Sequence, residues 1–203
     1  MGYPPQRTAA LHDGDGQVTR QDLVMSHSPG FRLVTPIDEE ALQRAARLQE
    51  LGIREEPDPE FDEFAKNLAH DLNAPFAMVN IIGPERQYFA GLYPSSLDRG
   101  IDARVDPMRT MACDHGYCMY VVTRKHAMAL DEVMDYHLFA GNPVVDEIGV
   151  RAYLGAPLVD ETGILGTICV IDTKPHDWGA EGVAFIKGRA AELVERILQR
   201  ARH

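Results

Sequence analysis

Two apolar strands joined by a polar turn constrain this chain more than any other stretch. Val150 to Trp178 reads VRAYLGAPLVDETGILGTICVIDTKPHDW. Arg151 to Val159 and Ile164 to Ile171 have the length and composition of strands, and Asp160-Glu161-Thr162-Gly163 has the residues of a tight antiparallel hairpin. Few polar side chains interrupt either strand, so neither face suits water. A hairpin with two apolar faces needs further strands beside it and a covering layer on each side. It is therefore read as the centre of a sheet. Gly155 and Gly166 leave room for close approach by another element, and Pro175 ends the hairpin after Asp172.

Upstream, Phe76 to Ile82 is an apolar run of strand length broken only by Asn80, and Gly83-Pro84-Glu85 turns it into Gln87 to Leu92, a second hairpin. Two helices precede it. Thr35-Pro36-Ile37-Asp38 has the residues of a helix start, with the helix running to about Leu51 and closed by Gly52. Asp58 and Pro59 open the second, in which Phe61, Phe64, Ala65, Leu68, Ala69 and Leu72 recur along one face, the face expected to lie on the sheet. Tyr93 to Ala112 is a long polar connection, a length usually kept for function or mobility. Short elements follow: a helix over Cys113 to Thr123, a strand over Met128 to Leu130, a helical turn over Glu132 to Phe139 and another over Val144 to Ile148. The chain closes with a helix from Ala180, whose stripe Val183, Ile186, Ala190, Leu193, Val194, Ile197, Leu198 and Ala201 runs almost to the last residue.

Charge narrows the partners. The 203 residues carry a formal charge of -11 with no basic run, so a nucleic-acid footprint is missing. No apolar run reaches the roughly 20 residues of a membrane span, and the amino terminus lacks a secretory apolar stretch. A cytoplasmic protein with three reduced cysteines is expected. Residues 1–34, mixed and polar, are expected to form a flexible tail, and 35–203 a single domain.

The central hairpin resembles the carboxyl-terminal signature of GAF domains, above all the bacterial sensor subgroup, through Arg151, Tyr153, Gly155, Ala156-Pro157-Leu158, Gly166-Thr167, Cys169, Asp172, Pro175 and Trp178. The resemblance continues upstream through Leu48 to Ile53, Phe61-Asp62, Pro75-Phe76-Ala77, Arg86 to Phe89, Cys118, Asp131 and Phe139 to Val145. It implies an α/β (α+β) architecture with a central antiparallel sheet, helices on both sides and the terminal helices together. It also implies a small-molecule cavity between the sheet and the Tyr93 to Ile148 layer. GAF domains use one scaffold for many ligands, so the fold does not name the ligand.

Arg151, Tyr153, Cys118 and Asn80 are the candidate ligand-binding residues. Arg151 and Tyr153 share one strand face, where Arg151 could clamp an anion or instead pair with Asp131 or Asp146 to hold the loop layer. Asn80 is the polar residue of its strand, and Cys118 is either a site thiol or a small packing residue. Cys113, His115 and Cys118 form a conceivable soft-metal group, but a fourth ligand is missing, and no metal is assigned. Asn142 to Gly149 lacks the cysteine of bilin-binding relatives, and Asn142 to Glu147 matches only the ends of the cyclic-nucleotide motif. For haem, His115, His126 and His137 offer no positioned ligand, and the cofactor stays open. The resemblance implies a non-catalytic sensing or regulatory domain that takes an unidentified small molecule and signals through a separate partner protein. The alternatives are a thiol redox enzyme of the free methionine sulfoxide reductase type and a ligand-free dimerisation module. The terminal stripe, extending beyond what one domain needs, predicts a homodimer through the terminal helices.

Overall fold

The apolar hairpin forms as β5 (Ala152–Asp160) and β6 (Gly163–Asp172) in the computed structural model, which describes residues 35–96 and 98–202. The expected tail, 1–34, lies outside the described residues. Polar residues make the turn because Asp160 holds it: one carboxylate oxygen accepts from Thr162 N at 2.8 Å, Thr162 Oγ1 at 2.7 Å and Gly163 N at 3.1 Å. The second hairpin forms as β1 (Phe76–Ile82) and β2 (Arg86–Tyr93). With β3 (Thr110–Ala112) and β4 (Met128–Leu130) the sheet has six strands in the order β3-β2-β1-β6-β5-β4, and every neighbouring pair is antiparallel. β1 and β6 are thus its centre. Gly166 lets them meet, since a Cβ there would stand 2.2 Å from the Asn80 carbonyl oxygen.

One face is covered by α1 (Ala41–Glu50), α2 (Pro59–Asp71) and α5 (Gly179–Arg200). Asp58 caps α2 by accepting from Glu60 N at 2.9 Å and Phe61 N at 3.4 Å. Phe61, Phe64, Ala65, Leu68 and Ala69 are buried as the periodicity predicts. α5 lies beside α2: Arg189 sits 4.5 Å over the Phe64 ring, Arg200 sits 4.9 Å over Phe61, and Arg200 also donates to Asp58 at 2.7 Å. Leu48 of α1 joins Leu193, Val194 and Ile197 of α5 in the same core.

Two expectations change here. α1 begins at Ala41 without a side-chain cap. Thr35 and Pro36 stand outside it, and Asp38, cast as part of the cap, pairs with the buried guanidinium of Arg44, whose Nε donates to the Ile82 carbonyl at 3.0 Å. The α5 stripe is not a projecting surface either. Ile186, Ala190, Leu193, Val194 and Ile197 are buried in the chain's own core, Val183 and Leu198 pack against it, and Ala201 is exposed. The spacing read as a surface for a second chain is met within this chain, by the core that α5 shares with α1, α2 and the sheet.

The other face carries α3 (Cys118–Arg124), a 3-10 turn at Val133–Asp135 and α4 (Pro143–Glu147). The helix expected from Cys113 starts five residues later, because Cys113 to Tyr117 forms a turn with Gly116 at φ +72°. The helical turn expected over Glu132 to Phe139 contracts to the 3-10 turn at Val133–Asp135. The long connection after β2 is more ordered than its composition suggested. It holds 3-10 turns at Ala103–Val105 and Pro107–Arg109 and ends in edge strand β3. Arg109 straps it down: the guanidinium is buried, donates to Phe89 O at 2.9 Å, Ala90 O at 3.1 Å and Ser96 Oγ at 2.9 Å, and forks onto Asp62 at 2.7 and 2.9 Å. Among the described residues no helix is long and apolar enough to cross a membrane.

Candidate functional site

Side chains alternate along strands, and on the face away from α2 and α5 the central strands present Met78 and Asn80 (β1), Gln87 and Phe89 (β2), Tyr153 (β5), and Thr167 and Cys169 (β6). Tyr153 does not stand upright. Its phenol lies back over Gly155, where a Cβ would stand 2.1 Å from the hydroxyl, so the glycine read as a place of close approach makes room for a ring of its own strand. The hydroxyl then reaches Cys118 Sγ at 3.5 Å, and Cys118 Sγ lies 3.7 Å from Cys169 Sγ. The two thiols, the phenol, Thr167 and Asn80 form one polar corner in an otherwise apolar layer. All five residues are buried.

A polar spine connects this corner to the covering loops. Asn80 Nδ2 donates to Gln87 Oε1 at 2.8 Å, and Gln87 Nε2 donates to the carbonyls of Ala112 and His115, each at 2.8 Å. Asn142 then closes the cover. Its carbonyl accepts from Gly116 N at 2.9 Å and Val144 N at 3.2 Å while its amide donates to Gly116 O at 2.8 Å, joining the 113–117 turn to the start of α4. Tyr117 adds edge-on contacts to Phe139 and Tyr153 with centroids 5.6 and 5.3 Å away.

Between sheet and cover remains a cavity of about 30 Å³, lined by Met78, Phe89, Met111, Tyr117, Val144, Ile148 and the two thiols among others. At roughly 10–15 Å³ per water this is space for two water molecules. None of the described residues that line it is charged. In this setting burial pushes the phenols of Tyr117 and Tyr153 up. Cys118 is held down to about 6, first by the hydrogen bond from Cys169 and then, against burial, by Thr167, Tyr153 and Asn80. Cys169, which must donate that bond, is pushed up. Thr167 Oγ1 and Asn80 Oδ1 have no hydrogen-bond partner among the described residues; of the two only the threonine hydroxyl can donate.

Of the four candidate residues, Tyr153 and Cys118 line the cavity, and Asn80 lies beneath it beside Cys118. Arg151 does not reach it. It precedes β5, its backbone N donates to Asp172 O at 2.8 Å, and its guanidinium is taken by Glu132, with Nε to Oε1 at 2.8 Å. The loop-holding role is the one observed, through Glu132 rather than Asp131 or Asp146. Asp131 instead accepts from Trp178 N at 3.1 Å. Cys113, His115 and Cys118 diverge: Cys118 turns into the core, His115 pairs with Asp114 at 2.7 Å, and Cys113 lies 4.0 Å from Gly83 O. Among the described residues no group of three or more His, Cys, Asp or Glu is placed to hold a metal ion. Sequence reasoning missed Cys169, Thr167, Gln87 and Asn142 as site residues. Thr167 and Cys169 share a strand face by period two, a signal that was available, whereas the pairing of Asn80 opposite Thr167 and the reach of Asn142 across 26 residues were not.

The model of the GAF domain matches residues 56–198. A cyclic di-GMP phosphodiesterase of Pseudomonas aeruginosa is 30% identical over 166 residues, which are 80% of this chain and 26% of that protein, so the chain spans about a quarter of its curated relative. The fold is similar to the GAF domain of a phosphoenolpyruvate-protein phosphotransferase from Coxiella burnetii, with a TM-score of 0.56 at 16% identity over 80% of this chain and 96% of that one. It is also similar to a free methionine-R-sulfoxide reductase from Neisseria meningitidis, with a TM-score of 0.54 at 10% identity over 84% of this chain and 96% of that one. At those identities the structural likeness speaks for the fold alone. The chain belongs to the GAF domain family.

Proposed function

From that membership we propose that the domain is a regulatory module that admits a small uncharged molecule between sheet and cover and reports it by the position of the cover, without transforming it. The observation that supports this reading is the lining of the cavity: apolar and aromatic side chains, two thiols and a phenol, with no charged group among the described residues. Transfer of an unpaired anion into such a site costs several kcal/mol, so a cyclic nucleotide or dinucleotide is disfavoured. Arg151, the one candidate clamp, is occupied by Glu132. A ligand larger than two waters requires the Asn142 clasp to shift, which ties occupancy to the 113–124 and 142–150 segments. The Pseudomonas relative, a cyclic di-GMP phosphodiesterase of which this chain matches 26%, fits a module that passes its state to another domain or protein. Native mass spectrometry of freshly purified protein, followed by calorimetry with matched uncharged and anionic ligands, tests this. Retention or micromolar binding of an uncharged compound that is lost in Asn142→Ala is the expected result; tight binding of a cyclic dinucleotide in the cavity would overturn it.

A further inference from the structure

We infer that Cys118 and Cys169 form a peroxide-reactive dithiol, with hydrogen peroxide as substrate and an intrachain disulfide as product. The sulfurs are 3.7 Å apart, in direct contact with nothing between them, and a disulfide requires closure to about 2.05 Å. One lies on α3, in the cover, and the other on the central strand β6, so a bond between them staples cover to sheet. Both face the cavity. Space for two waters is space for one peroxide molecule, which has the same two oxygens and enters with the cover in place, whereas a branched organic hydroperoxide needs the cover to shift first.

The surroundings supply what the chemistry needs. The Tyr153 hydroxyl stands 3.5 Å from Cys118 Sγ, and the Thr167 hydroxyl is buried without a hydrogen-bond partner among the described residues. An unsatisfied buried hydroxyl is costly, and here it is a spare donor beside the sulfur. The hydrogen bond from Cys169 and those donors favour the thiolate of Cys118, the nucleophilic form, while that bond to Cys118 and burial keep Cys169 protonated as the resolving thiol. Cys118 sulfur attacks one peroxide oxygen and the O–O bond breaks. The departing hydroxide takes the proton given up by the thiol and leaves as water, so Cys118 becomes a sulfenic acid. Cys169 sulfur then attacks Cys118 sulfur, the S–O bond breaks, and the hydroxyl leaves with the Cys169 proton as a second water. Two thiols lose two electrons and one peroxide gains them. Cys113 is the internal control: it is the third cysteine, only partly buried, lies outside the cavity lining, and burial with Asp38 and Asp114 pushes its thiol up.

The inference uses the same cavity as the proposed function but does not require that any ligand regulate the protein. The test is intact-mass and peptide mass spectrometry of the full chain after graded hydrogen peroxide, at equal doses of tert-butyl hydroperoxide. The expected result is loss of two hydrogens, a Cys118–Cys169 linked peptide, reversal by dithiothreitol, and a reaction slower by about an order of magnitude or more with the bulky oxidant. Cys113→Ser should leave this unchanged, and Cys169→Ser should stop at a dimedone-trapped sulfenic acid on Cys118. Oxidation of Cys113 in preference to the pair, disulfide-linked dimers, three unreacted thiols, or equal rates with both oxidants would each overturn it, on the wild-type protein and without reliance on a variant that fails to fold. Ligand binding by the reduced protein is read separately, so either idea can fail alone.

Discussion

The two faces of the sheet use the same strands and opposite materials. On the α2 and α5 side the core is aliphatic and aromatic, with Phe61, Phe64, Leu68, Leu154, Ile168, Ile186 and Leu193 all buried; Arg189 and Arg200 stack on phenylalanine rings, and the buried Arg44 and Arg109 are each paired with an aspartate. On the α3 and α4 side, the buried set is rich in Tyr, Met and Cys, includes a corner of Asn80, Thr167 and two thiols, and leaves a cavity. Long helices with a continuous apolar stripe make the first face; a 3-10 turn and helices of 7 and 5 residues, held by Asn142 and Gln87, make the second. Short elements contribute little stability of their own, so the second face depends on a few side-chain hydrogen bonds where the first depends on area. Buried area and side-chain hydrogen bonding are thus divided between the sides of one sheet.

That division predicts effects of graded size. Replacing Val194 and Ile197 together with Glu places two carboxylates in the first core, where both side chains are buried. The expected loss exceeds about 4 kcal/mol and the chain unfolds, seen as loss of the emission of Trp178, its one tryptophan. A folded monomer from that double variant would show that the stripe faces a second chain instead. Asp62→Ala comes next. It strands the Arg109 guanidinium, only 1% exposed, and should cost about 3–5 kcal/mol in urea unfolding, because the strap over the 94–109 loop is a buried pair with one member gone.

Asn142→Ala removes three hydrogen bonds at the clasp and should cost about 1–3 kcal/mol, felt in the cover rather than in α2 or α5. If thermal denaturation shows no change, the cover is held by its apolar contacts alone. The smallest effect concerns Glu132. Arg151 keeps its carboxyl below the ordinary value of 4.5, so the pair stabilises the fold above that pH and the contribution is lost as pH falls below it. Glu132→Gln should flatten this part of the acid limb of the stability profile without altering ligand affinity. A changed affinity in Arg151→Ala would return that arginine to the cavity.

How legible each face was follows from the range of the forces that build it. An apolar run of strand length located β1 at Phe76–Ile82 to the residue, and helical spacing placed Phe61, Phe64 and Leu68 on the sheet, because run length and periodicity are local signals. The Asp58 cap was visible for the same reason. Asp38 had the residue type for a cap and keeps one such bond, accepting from Glu40 N at 3.2 Å, while its other oxygen takes the buried Arg44 six positions on. On the second face the decisive contacts are Cys118 with Cys169 across 51 residues and Asn142 with Gly116 across 26, and no spacing rule encodes such distances. Tyr153 was chosen for its strand face, but its reach to Cys118 depends on Gly155 lying beneath the ring.

Native-state hydrogen exchange, followed amide by amide at increasing sub-denaturing urea, tests the division most directly. The account predicts that amides of α3, α4 and the 113–117 turn exchange through an opening several-fold to many-fold easier than global unfolding and nearly independent of urea, while β1, β6, α2 and α5 exchange only with the urea dependence of the whole domain. One common protection level on both faces, converging at a single urea slope, would contradict it.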